Sequence, residues 1–132
     1  MKEIKICHFG GKELCTTWDE VVQTLEQTVD GVNEFFIVAE HTMFPYLTVL
    51  VRGDYAHVYC VPNEADGGLL AFSDDTPTDL PPNGISIFYT NTPTEEIQIC
   101  NDYVIPKNLA RTVVKDFVET GEMSNCVEWD EL

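Results

Sequence analysis

A chain of 132 residues with 23 acidic and seven basic side chains carries a formal charge of −16 at neutral pH. That length allows one core, and that charge repels nucleic acid and anionic membranes alike. Its 44% hydrophobic content, with seven Phe, five Tyr and two Trp, excludes a disordered chain.

The N-terminal MKEIKICHFGG holds neither an apolar h-region nor a small-residue cleavage site. No apolar run approaches the roughly 18 residues that span a bilayer. A cytoplasmic location is expected. The five cysteines (Cys7, Cys15, Cys60, Cys100, Cys126) are odd in number and form no Cys-x-x-Cys pair. They read as small hydrophobes in a reducing compartment.

In chain order, residues 2 to 9 alternate Ile4 and Ile6 against Lys5 and Cys7, which predicts a first strand broken by Gly10-Gly11. Thr17 followed by Glu20 is a capping box, opening a helix whose apolar face is Trp18, Val21, Val22, Leu25 and Val29. Asp30-Gly31 is expected to end it. NEFFIVAEH predicts a buried strand centred on Phe35 to Ala39. YLTVLV and YAHVYCV predict an antiparallel hairpin turning on Gly53. LLAF is a further strand after a Gly67-Gly68 loop. The segment 73 to 84, SDDTPTDLPPNG, is too polar and proline-rich for regular structure. ISIFYT and EIQIC are strands joined by a loop over residues 91 to 94.

Pro106 suits the first position of a second helix, with the stripe Leu109, Ala110, Val113, Val114, Phe117 and Val118, and Gly121 suits its left-handed end. CVEW reads as a closing strand. The order predicts a single α+β domain over residues 1 to 132. Its one mainly antiparallel sheet has about six or seven strands, with two helices packed on one face and the other face partly open.

The charge is unevenly placed along the chain. Between Gly53 and Pro106 there are nine acids and no Lys or Arg. The closing TGEMSNCVEWDEL sets Trp129 among carboxylates with no base beside it. Alternation puts Trp129 on the core side, its indole N–H meeting a carbonyl, and turns Glu128 and Asp130 to the opposite face.

Catalytic and metal motifs are missing from the sequence. His57 and Cys60 fall on opposite strand faces, as do Cys7 and His8, which is poor geometry for shared ligation. A Cys/His pair of Cys60 or Cys100 with His41 is conceivable, and the carboxylate pairs Asp74-Asp75 and Glu95-Glu96 lie in segments read as loops. There is no phosphate-binding glycine loop and no H-E-x-x-H. The expectation is no catalytic residue, no metal and no cofactor. Two alternatives stay open: a small cytosolic enzyme with a Cys/His or carboxylate site, and a generic acidic interaction adaptor.

Phe44-Pro45 opening LTVLV, the Gly-rich turn before LLAF, VIPKNLARTVVKDFVETGE and the closing Val127-Glu128-Trp129 resemble, in order and spacing, one bacterial family. It is the first-numbered immunity family of polymorphic toxin systems, whose members include inhibitors of deaminase toxins. The likeness covers roughly residues 41 to 132. It departs at Met123-Ser124-Asn125, where a proline is expected. The resemblance implies an α+β protein, not an enzyme, that binds one cognate toxin domain in a 1:1 complex and blocks its active site. Combined with the charge, it implies a partner with a basic cleft, such as a nucleic-acid-targeting deaminase or nuclease. The expected toxin-binding residues are Asp66, Asp74, Asp75, Asp79, Glu95, Glu96, Glu128, Asp130 and Glu131.

Overall fold

Strand-period alternation in the central segments decides the architecture. In Val32–Ala39 and Tyr46–Arg52 the residues Phe35, Ile37, Leu47 and Val49 point one way and are buried. The computed structural model describes residues 2–65, 67–74 and 79–131. These form, in order, β1 (Ile4–His8), β2 (Gly11–Cys15), α1 (Trp18–Leu25), β3 (Val32–Ala39), β4 (Tyr46–Arg52), β5 (Tyr55–Val61), β6 (Leu69–Phe72), β7 (Ile85–Tyr89) and β8 (Glu96–Cys100). A single 3-10 turn (Asn101–Tyr103), β9 (Ile105–Pro106), α2 (Lys107–Thr120) and β10 (Glu128–Glu131) follow.

The main sheet has the order β10-β6-β5-β4-β3-β1-β2, with the two-residue β9 pairing on β5. Each of its pairings is antiparallel. The α+β expectation holds, with both helices on one face. Val21 and Leu25 of α1, and Ala110, Val113, Val114 and Phe117 of α2, share a core with Ile6, Phe35, Ile37, Val49 and Val58 of the sheet. Burying Phe35 and Phe117 contributes most per residue, and truncating either to Ala costs about 3–5 kcal/mol.

Several local expectations are met. The Thr17–Glu20 capping box is closed in both directions. Gly53 (φ 58°) turns β4 into β5, and Gly121 (φ 75°) ends α2 with its N–H on the Phe117 carbonyl at 2.8 Å.

Others are corrected. Gly10-Gly11 does not merely end β1; it turns the chain into β2, an edge strand pairing Ile4 with Cys15. The first helix stops at Leu25, so Val29 is off its apolar face and 37% exposed. The buried Asn33 amide donates to the Gln27 carbonyl at 2.7 Å, and Val29 and Val32 exchange backbone bonds across Asp30-Gly31, both at positive φ. Asp-Gly in that conformation is a hairpin-type turn, which competes with another helical turn and wins. Pro106 caps α2 from outside rather than occupying its first position, and the last strand begins at Glu128, not Cys126.

The largest difference concerns β7 and β8. They pair only with each other among the described residues and form a separate ribbon over the helix-free face. Phe88 packs there against Leu50 and Val104. The ribbon is pinned at the middle of β7 and at the turn that follows it. Arg52 donates to the Ile87 carbonyl at 2.9 Å, and Glu34 accepts from the Thr90 hydroxyl at 2.5 Å and the Asn91 N–H at 3.1 Å.

Candidate functional site

The strand order sorts the charges. Lys2, Lys5 and Lys12 lie at or beside β1 and β2, and Lys107, Arg111 and Lys115 lie on α2. Arg52, exposed at the end of β4, donates to the Ile87 carbonyl. The half of the sheet made by β5, β6 and β10, together with β8 and the 3-10 turn, contains no base. A gap in the sequence has become one side of a surface.

That side is also where the helix-free face stays open. Between β8 and the uncovered stretch of β5 and β6 runs a groove of about 620 Å³. Tyr46, His57, Tyr59 and Leu70 form its floor, with Ile97 and Tyr103 as walls. The floor exists because β5 alternates Tyr55, His57 and Tyr59 against the core-facing Ala56, Val58 and Cys60.

Tyr103 knits the site together. Its hydroxyl donates to Asp130 at 2.9 Å, its carbonyl accepts from His57 Nδ1 at 3.0 Å, and its ring meets Phe72 edge-on at 6.4 Å. The Asp130 carboxylate stabilises the protonated phenol and so raises the Tyr103 pKa. Because a carbonyl only accepts, His57 carries its proton on Nδ1, and burial pushes its pKa down. The imidazole is therefore neutral.

Only some of the expected toxin-binding residues border this face. Glu128 and Asp130 pair with Phe72 and Leu70 and point to the groove side. Glu131 pairs with Leu69 and so turns toward the helix side, where it is exposed. Asp74 is exposed two residues beyond Phe72. Asp79 accepts a hydrogen bond from Tyr55, whose pKa rises in consequence. Glu95 accepts from Asn91 Nδ2 at 2.6 Å at the tip of the β7–β8 ribbon, and Glu96 stands exposed beside the groove wall Ile97. Asp66 and Asp75 lie outside the described residues.

Trp129 has the orientation that alternation predicts. It packs on the main core, and its indole N–H donates to the Ser124 carbonyl at 2.9 Å.

The Cys/His pairings considered from sequence do not assemble. Cys60 faces the core, where burial lifts its thiol pKa to about 11, so it is no nucleophile at neutral pH. The side chain of His41 is 89% exposed on a turn. Cys100 borders the groove beside His57, not His41. No three of His, Cys, Asp and Glu group as metal ligands among the described residues.

An antiparallel sheet with two helices on one face and an accessible aromatic trough on the other defines an α+β domain whose free surface is suited to contact. The chain belongs to the family Immunity protein Imm1, which matches residues 10–131 and so takes in β2 and α1 as well as the C-terminal motifs. No curated protein matches the sequence. Among the described residues no helix is long and apolar enough to cross a membrane.

The groove residues carried a signal that motif reading passes over. Tyr55, His57 and Tyr59 repeat at period two on the side of β5 away from the aliphatic residues.

Proposed function

We propose that this immunity protein is not an enzyme but a cytoplasmic inhibitor that binds one cognate toxin domain in a 1:1 complex, covering its active site with the base-free half of the sheet. The single observation that supports it most is the absence of Lys and Arg from one half of the sheet in an Imm1 family member. Lys and Arg are confined to the β1–β2 edge, α2 and Arg52 at the end of β4, while Glu96, Glu128 and Asp130 border the open face. A toxin that acts on nucleic acid needs a cationic cleft, and carboxylates arrayed on a rigid sheet imitate the phosphates that the cleft holds. A deaminase or nuclease toxin is the partner this charge fits best. Opposite charge also speeds encounter, which an inhibitor of a lethal enzyme requires.

The test is co-expression with the toxin reading frame next to this gene. Growth should be restored and a 1:1 complex recovered; a toxin that stays lethal and elutes alone rejects the assignment. Replacing Asp74, Asp75 and Asp79 by Lys should weaken the complex at least roughly tenfold and flatten its salt dependence. An unchanged salt slope removes that segment from the interface.

A further inference from the structure

The groove beside β8 differs chemically from the carboxylates around it. Resting on the proposed function, we infer that it is the anchor pocket of the interface and takes an arginine side chain projecting from the toxin.

Three observations point to a guanidinium. The first is an unused acceptor in the floor. His57, only 3% exposed, donates Nδ1–H to the Tyr103 carbonyl, so the ring nitrogen left over, Nε2, is a bare acceptor with no partner among the described residues. The second is the aromatic floor, since Tyr46 and Tyr59 present ring surface on which a planar cation stacks. The third is the field. No element lining the cleft from β5, β6, β8 or the 3-10 turn contributes a Lys or Arg. Meanwhile Asp130 is held at the wall by Tyr103, and Glu96 and Asp102 are exposed next to lining residues.

A purely aliphatic guest would leave Nε2 unanswered in a desolvated interface, whereas an arginine satisfies it, covers Ile97 and Leu70 with its methylene stem, and keeps its charge toward the carboxylates. Buried Arg and Tyr at the centre of an interface are the residues most often found to dominate affinity.

Two experiments test this. In the first, the free protein is titrated with N-acetyl-arginine amide and, separately, with N-acetyl-norleucine amide while the His57 ring nitrogens and the Tyr59 and Leu70 resonances are followed by NMR. The arginine amide should shift all three while norleucine amide leaves His57 Nε2 unmoved. Equal responses, or an arginine response confined to other surfaces, overturn the assignment, and this arm needs no toxin.

In the second, affinity for the cognate toxin domain is compared among variants. Ile97→Arg, at a side chain already 36% exposed, supplies the pocket with its own guanidinium and should weaken binding at least roughly 100-fold. His57→Phe, which keeps an aromatic ring there, should cost about tenfold. Circular dichroism and melting temperature verify that each variant folds. Wild-type affinity in both Ile97→Arg and His57→Phe overturns the pocket while leaving the immunity reading intact. A toxin that fails to bind even the wild-type protein overturns that reading instead.

Discussion

Trp129 offers the sharpest separation of a structural from a binding role. The indole is half-buried on the helix side of an edge strand, packed on the main core, with its N–H on the carbonyl of Ser124. Half of a Trp side chain is about 100 Å² removed from water, worth roughly 2.5 kcal/mol at about 25 cal/mol per Å². Losing the hydrogen bond adds about 1 kcal/mol. Trp129→Ala should therefore cost roughly 3.5 kcal/mol. For 132 residues, an unfolding entropy of about 2.1 cal/mol/K per residue turns that into a fall in melting temperature of roughly 12 °C. Trp129→Phe keeps most of the area and orphans the carbonyl, so it should lose only about 1 kcal/mol, or roughly 4 °C. Urea unfolding and calorimetry of the three proteins measure both values. If Trp129→Ala moves stability by less than about 0.5 kcal/mol while eliminating partner binding, the core placement is refuted and the side chain belongs to the interface.

The remaining predictions concern α1, the buried histidine and the cysteines. Thr17→Ala removes the hydroxyl that accepts from the Glu20 N–H at 3.2 Å and should lower stability by about 1 kcal/mol in urea unfolding; no change means the box closes only weakly in solution. His57 titrates lower in the folded protein than its ordinary 6.5, so the unfolded chain binds the proton first. The stability it contributes is complete above that pH and declines as pH falls below it, by at most about 1.4 kcal/mol per pH unit. His57→Phe should flatten that part of the pH–stability curve, and an identical curve for the variant contradicts the burial argument. An aromatic disulfide reagent at neutral pH should label the exposed Cys126 quickly and Cys60 only on global unfolding. Equal labelling rates would mean that Cys60 is accessible and reactive.

Much of the fold was legible because the period-two and helical patterns are strong where the core is. The strands around Phe35, Val49 and Val58, the capping box at Thr17 and the left-handed Gly121 follow from local chemistry that the tertiary structure does not override. The elements misread are those where two local signals compete. Asp30-Gly31 serves equally as a helix stop and a hairpin turn, and only the pairing of Val29 with Val32 decides between them. GKELC has no apolar alternation of its own and becomes β2 because β1 offers it a free edge. The placement of β7 and β8 above the sheet, instead of within it, is set by Phe88 docking on Leu50, a contact 38 residues apart in sequence.

The site divides in the same way. That Glu128 and Asp130 share a face follows from strand periodicity alone. That this face adjoins His57 and Tyr59 follows only from β10 pairing with β6, and the groove exists only because β8 stands over one side of it. Acidic residues announce themselves in a sequence, whereas a trough built from four separated segments does not.

The most direct measurement is hydrogen–deuterium exchange of the protein alone and saturated with its cognate toxin domain. Protection is expected in β5, β6, β8 and β10, with α1 and the outer face of α2 exchanging at the same rate in both states. Protection concentrated on the helices, or on the lysine-bearing β1–β2 edge, would contradict the assignment of the base-free half of the sheet to the toxin.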